Sequence, residues 1–153
     1  MRVKDLVSGW MTERPMTIDP DAPAVEAYAI MASGGIRHLP VVSRDRLVGI
    51  VSDRDLYRFA PLADGFGGTR ALRRLYDTPV RQVMTAGPCL TVDPLATLSE
   101  AADLLVRHKI SSLPVLDDGR LLGIVTSHDL LRALSRDPRE VPAPEGETAR
   151  SGL

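Results

Sequence analysis

Cysteine is nearly missing from this chain. Cys89 is the only one in 153 residues, which excludes an intrachain disulfide and a cysteine-rich zinc site and fits a reducing compartment. Aromatic residues are scarce at 4 %, with Trp10 the sole tryptophan, so the core has to be aliphatic. Neither sign of charge predominates: the net charge of −1 offers no overall basic field to hold nucleic acid or an anionic membrane. No apolar run approaches the roughly 18 residues of a membrane span, and the opening MRVKDLVSGW lacks the apolar stretch of a secretion signal. A cytoplasmic, soluble protein is expected, with neither nucleic acid nor membrane as partner. Catalytic signatures are also wanting. The lone GFGG is not followed by Lys-Ser or Lys-Thr, no Ser/His/Asp or Cys/His arrangement stands out, and no two of the 3 histidines have metal-ligand spacing. The expectation is a protein that is not an enzyme, with no metal site and no obligatory cofactor.

What the chain does have is a repeat. GIVSDRDL, Gly49 to Leu56, returns as GIVTSHDL, Gly123 to Leu130, at an offset of 74. Aligning Thr17–Ala60 with Thr91–Leu134 at that offset gives 18 identities in 44 positions, where chance would give about three. Upstream, Val7, Met11, Thr12 and Pro15 match Val80, Met84, Thr85 and Pro88 at an offset of 73, so the second copy carries one extra residue near Leu90. A unit of this size is too small to bury its apolar faces alone, and stacking of the two copies is the expected solution. The chain divides into repeat 1 at 1–60, a linker at 61–78, repeat 2 at 79–135 and a tail at 136–153.

Both copies share a local grammar. An extended stretch (Met16–Ile18; Leu90–Val92) meets an Asp-Pro turn, and a helix follows over about Ala24–Ser33 or Leu98–His108. Thr97-Leu98-Ser99-Glu100 reads as a capping box; Pro23 holds that place in the first copy. LPVV or LPVL, a polar turn, and LVGIV or LLGIV then read as a hairpin packed on the helix. A second helix begins at Ser52 or Thr126. Ser52-x-x-Asp55 and Thr126-x-x-Asp129 are themselves capping boxes, in which the hydroxyl accepts from the N3 amide and the carboxylate reaches back to the N-cap amide. That role alone accounts for both aspartates. The fold class is α+β: tandem βαββα units packed as a pseudo-twofold pair.

IRHLPVV-SRDRLVGIVSDRDL and ISSLPVL-DDGRLLGIVTSHDL resemble the two repeats of a CBS-domain pair, or Bateman module, over roughly Val3 to Leu134. RHLPVV, SDRDL and the long interval between repeats look most like the acetoin-utilisation type. The resemblance implies a dimer of pairs with clefts between repeats that bind adenosine-containing ligands: AMP, ADP, ATP, S-adenosylmethionine or a dinucleotide. It places Asp55 and Asp129 on ribose, with Ser52 and Thr126 near ribose or phosphate. A capping carboxylate with lone pairs to spare suits ribose hydroxyls, as acidic residues do in dinucleotide folds, and a helix start favours phosphate. Ile18, Ile36, Val92 and Ile110 match family positions flanking adenine, although plain core packing explains them as well.

The copies diverge in cations. Arg37, His38 and Arg54 of the first copy face Ser111, Ser112 and His128 of the second, with Lys109 nearby. Arginine grips phosphate through a fork of donors whereas serine gives neutral bonds, so the clefts should differ in affinity. Spacing along the chain leaves open which cleft receives which cation, and Arg54, His38 and His128 each have a plain alternative as helix-surface or half-buried strand residues. In the linker, PLADGFGG is flexible by composition, and TRALRRLYD reads as a helix with Leu72 and Leu75 on one side and Arg70, Arg73 and Arg74 towards the other. It lies on the module, or else its arginines form a lid or docking patch. The Pro-, Gly- and Glu-rich tail is expected to be disordered. The leading function is a homodimeric regulatory module that senses an adenosyl ligand and modulates a partner protein; the alternative is a dimeric interaction scaffold that binds no ligand.

Overall fold

Two three-stranded sheets carry the chain, and each takes its third strand from the other repeat. The computed structural model describes residues 2–60 and 68–135. Repeat 1 runs β1 (Thr12–Glu13), α1 (Ala24–Gly34), β2 (His38–Ser43), β3 (Arg46–Ser52) and α2 (Asp53–Phe59). Helix α3 (Thr69–Tyr76) leads into β4 (Thr85–Ala86), α4 (Leu98–His108), β5 (Ser112–Asp117), β6 (Arg120–Thr126) and α5 (Ser127–Ser135). One sheet has the order β2-β3-β4 and the other β1-β6-β5.

The hairpins close through two-residue loops in the left-handed region, Arg44-Asp45 (φ 50° and 61°) and Asp118-Gly119 (φ 47° and 77°). Such loops match the right-handed twist of the strands they join. Leu39, Val41 and Val51 are buried beneath α1, and Leu113, Val115 and Val125 beneath α4. Helix α1 ends at Gly35 and α4 at Lys109, both in the left-handed conformation. The predicted capping box of α4 is formed: Thr97 N donates to Glu100 Oε2 (2.8 Å) and Glu100 N to Thr97 Oγ1 (3.1 Å).

The leading strands expected at Met16–Ile18 and Leu90–Val92 shrink to one pairing residue each. Ile18 bridges Val41 in parallel, and Val92 bridges Val115. Ile18 N donates to Pro40 O (3.1 Å) and Ile18 O accepts from Val42 N (2.9 Å) before the chain turns at Asp19-Pro20. Proline has no N–H with which to extend the ladder. The edge strands β1 and β4, two residues each, were not legible from periodicity.

Their pairing interlocks the repeats. Thr12 and Glu13 lie opposite Ile124 and Gly123, and Thr85 and Ala86 opposite Ile50 and Gly49. The segments before them cross over too. Val7 N donates to Ala96 O and Ser8 N to Pro94 O; their mirror images are Val80 N to Ala22 O and Arg81 N to Pro20 O. In place of a single shared core there are two. One gathers Ile18, Ala27, Met31, Leu39, Val51 and Leu56 with Leu75 and Val80; the other gathers Val92, Ala101, Leu105, Leu113 and Val125 with Val7. Each core is thus completed by the lead-in of the opposite repeat. Of the linker, 61–67 lie outside the described residues, as do 136–153 of the tail; the anticipated helix is α3, with Leu75 buried and Arg74 over the Phe59 ring at 5.5 Å.

Candidate functional site at the seam between the repeats

The starts of the two hairpins meet at the seam. His38 Nε2 lies 2.9 Å from Ser111 Oγ, a hydrogen bond between residues 73 apart in sequence. Each hairpin start is also tied to the following helix of its own repeat: Arg37 O accepts from Asp53 N, and Ser111 O from Ser127 N, both at 3.0 Å. These bonds set Ile36-Arg37-His38 against the Ser52–Asp55 turn and Ile110-Ser111-Ser112 against the Thr126–Asp129 turn.

Both turns are capping boxes. Ser52 N donates to Asp55 Oδ2 (2.8 Å) and Asp55 N to Ser52 Oγ (3.2 Å). In the second copy Thr126 N donates to Asp129 Oδ2 (2.9 Å) and Asp129 N to Thr126 Oγ1 (3.4 Å). The hydroxyls of Ser52 and Thr126 additionally donate to the same Oδ2 atoms. One oxygen of each aspartate is therefore committed to its cap. The other, Oδ1, is engaged among the described residues in the second copy alone, where Arg132 Nη1 stands 3.5 Å away. Asp129 is buried at 7 % exposure; Asp55 is half-buried.

The charged groups of the first copy converge on His38. Burial pushes the His38 imidazole below its ordinary value, the Asp53 and Asp55 carboxylates pull it back up, and the Arg37 and Arg54 guanidinium groups push it further down. Arg37 and Arg54 are themselves exposed. The corresponding neighbourhood of the second copy holds the buried Ser112 and the exposed Ser111 and His128, so the charge asymmetry seen in the sequence becomes a spatial one. Of the apolar candidates, Ile18 and Val92 sit in the two cores. Ile36 is half-buried against the first core, and Ile110 stands 39 % exposed. Among the described residues no group of three or more His, Cys, Asp or Glu side chains could hold a metal ion, and no helix is long and apolar enough to cross a membrane.

A family model for the CBS domain matches residues 3–61 and 80–136. The chain belongs to the CBS-domain family. Its two CBS repeats carry the α+β architecture of solved CBS pairs. CBSX2 in complex with AMP is 31 % identical, with a TM-score of 0.71 over 84 % of this chain and 95 % of that one. The CBS-domain pair of MJ0100, in complex with 5-methylthioadenosine and S-adenosyl-L-methionine, is 27 % identical, with a TM-score of 0.70 over 84 % and 94 %. AcuB of Vibrio cholerae, a protein assigned to acetoin utilization, is 32 % identical, with a TM-score of 0.68 over 84 % and 89 %. Among curated relatives, inosine-5'-monophosphate dehydrogenase of Aquifex aeolicus is 35 % identical over 133 residues, which are 86 % of this chain and 24 % of the enzyme. This CBS pair spans about a quarter of the length of that relative.

The seam also titrates. The unfolded chain takes up its His38 proton near pH 6.5, above the lowered folded value. The stability that neutral His38 contributes is therefore complete above about pH 6.5 and is lost as pH falls through the folded value. His38→Gln, which can still bond Ser111 but does not titrate, is expected to flatten the fall in urea-unfolding stability between about pH 7 and pH 5. Parallel curves for the two proteins would mean that His38 titrates alike folded and unfolded.

Proposed function

We propose that this CBS pair is a regulatory module, not a catalyst, which binds an adenosine-containing ligand at the seam and passes its occupancy to a partner protein as a cytoplasmic homodimer. The observation that carries the reading is the hydrogen bond of His38 to Ser111 of the other repeat, with Asp53, Asp55, Arg37 and Arg54 all close enough to act on the His38 imidazole. Asp55 Oδ1 has no hydrogen bond to a described residue, which leaves it to accept from ribose hydroxyls. Ser52 lies beside it, and the arginines supply forked donors for phosphate. Thr126 and Asp129 would serve the second cleft, with His128 at its edge. Ile36 and Ile110, both reachable by solvent, are the better apolar walls for a base; Ile18 and Val92 would support them from the cores. CBSX2 with AMP and MJ0100 with S-adenosyl-L-methionine support AMP, ADP, ATP or S-adenosylmethionine as the class of ligand, none of them an obligatory cofactor. Regulation requires that the ligand prefer one of two states that differ at the partner's surface. The working division follows the repeats, 1–60 and 79–135, joined by 61–78 and followed by 136–153.

A scaffold that binds no ligand is the competing reading, favoured by two facts. Both aspartates are accounted for as caps, and the second repeat presents exposed Val106, Leu131 and Leu134. Calorimetric titration of nucleotide-free protein with AMP, ADP, ATP and S-adenosylmethionine separates the two. Micromolar binding that weakens at least tenfold in Asp55→Ala or Asp129→Ala is expected. Absence of heat from a folded protein would leave the scaffold reading standing.

A further inference from the structure

The two aspartates occupy matching positions but are not equally available. Arg132 reaches from the second turn of α5 to Asp129 Oδ1 at 3.5 Å, and its guanidinium lies over the Trp10 ring, 5.9 Å from the centroid. Trp10 is held in turn by its own Nε1, which donates to Lys4 O at 2.7 Å. The first copy has the same arginine, Arg58, at the matching position, yet it forms no ion pair with Asp55 among the described residues. The difference lies on the lead-in of the opposite repeat, where Trp10 is matched by Val83. A valine offers no π face to a cation, whereas a tryptophan is the best of the side chains that do.

We propose that Arg132, pinned by Trp10, is a specificity-determining residue: it occupies the second oxygen of Asp129 and so directs an adenosyl ligand first to the Asp55 cleft. The assignment rests on the nucleotide-binding reading above. A ribose arriving at Asp129 has to displace Arg132 from both partners; at Asp55 it meets an oxygen that no described residue holds. Neither contact is strong, since Arg132 is 47 % exposed and an exposed pair and a cation–π contact each contribute modestly. The clefts should differ by about tenfold in affinity from this cause, in the same direction as the extra cations of the first copy, Arg37 and Arg54.

The test is titration of nucleotide-free protein with AMP, followed by calorimetry and by emission of Trp10, the sole tryptophan. A two-step isotherm is expected, with the tighter step lost in Asp55→Ala. In Arg132→Met, and in Trp10→Val, which puts the residue of the matching position, Val83, beside Arg132, the weaker step should tighten by about tenfold. Filling the weaker site of the wild type should shift Trp10 emission as Arg132 leaves the ring. The proposal is overturned if Asp129→Ala rather than Asp55→Ala abolishes the tighter step, or if the weaker step is unchanged in Arg132→Met. AMP heat absent from all the proteins overturns the nucleotide reading, and this assignment with it. The two failures are distinct, because the first requires binding to be present.

Discussion

Gly49→Ala and Gly123→Ala are each expected to lower stability by about 2–3 kcal/mol, read as a fall in the urea midpoint at unchanged slope. A methyl group built at Gly49 would stand 2.7 Å from the carbonyl oxygen of Thr85 and 2.7 Å from Met84 Sδ. At Gly123 it would stand 2.7 Å from Thr12 O and 2.8 Å from Met11 Sδ. A methionine end can swing aside; a strand carbonyl cannot move without opening the two-residue pairing of β3 with β4 or of β6 with β1. Those pairings lock each repeat's lead-in to the other, so the damage reaches beyond the substituted strand. Gly35→Ala is the informative contrast. Its φ of 62° strains any side chain, but nothing lies within 4 Å of the added carbon, and the expected cost is about 1 kcal/mol. Equal losses at Gly35 and Gly49 would mean that crowding at the exchanged strands contributes nothing.

Leu75→Ala is expected to cost about 3 kcal/mol. Leu75 belongs to the linker by sequence but is 1 % exposed, within the core of the first repeat beside Val80 and Leu56. Truncation there removes buried methyl groups and leaves a cavity that only partial collapse can relieve. Arg70→Ala, on the exposed side of the same helix, is expected within about 0.5 kcal/mol of wild type. Together the two variants decide between the readings of this segment. A costly Leu75 with unchanged AMP affinity in Arg70→Ala makes α3 a structural cover, already tied down by Arg74 on Phe59. A cheap Leu75 with weakened AMP binding in Arg70→Ala would make it a lid.

Much of this was legible in the letters because it is local or repeated. The capping boxes at Ser52, Thr97 and Thr126 are spelled by a hydroxyl and a carboxylate three residues apart, so the helix starts could be read directly. The limits of α4 follow from similar short-range chemistry, and so do the polar turns of the hairpins, which the structure tightens to two residues. The strands β1 and β4 escaped because two residues carry no period, and their partners lie in the other repeat. The GIV glycines were visible as identities, but their cause was not: it is a carbonyl more than 35 residues away in sequence at Gly49, and more than 100 away at Gly123. The candidate site divides in the same way. Asp55 and Asp129 stood out by recurrence, whereas the convergence of Arg37, Arg54, Asp53 and Asp55 on His38 needed the hairpin starts to be placed against the helix starts. Arg132 and Trp10 were missed altogether, although the lone tryptophan facing a valine in the alignment was a signal in plain view.

By itself the sequence determined the duplication, the helix-hairpin-helix order of each copy, the caps and the aliphatic character of the cores, since those depend on residue type and spacing along one segment. Only the tertiary structure decided that the cores are two, that each is closed by the other repeat's lead-in, and that one aspartate is held by an arginine while its twin pairs with no cation among the described residues. Copies alike in local sequence become unlike when different neighbours pack against them, because burial and Coulomb interactions depend on what is near in space.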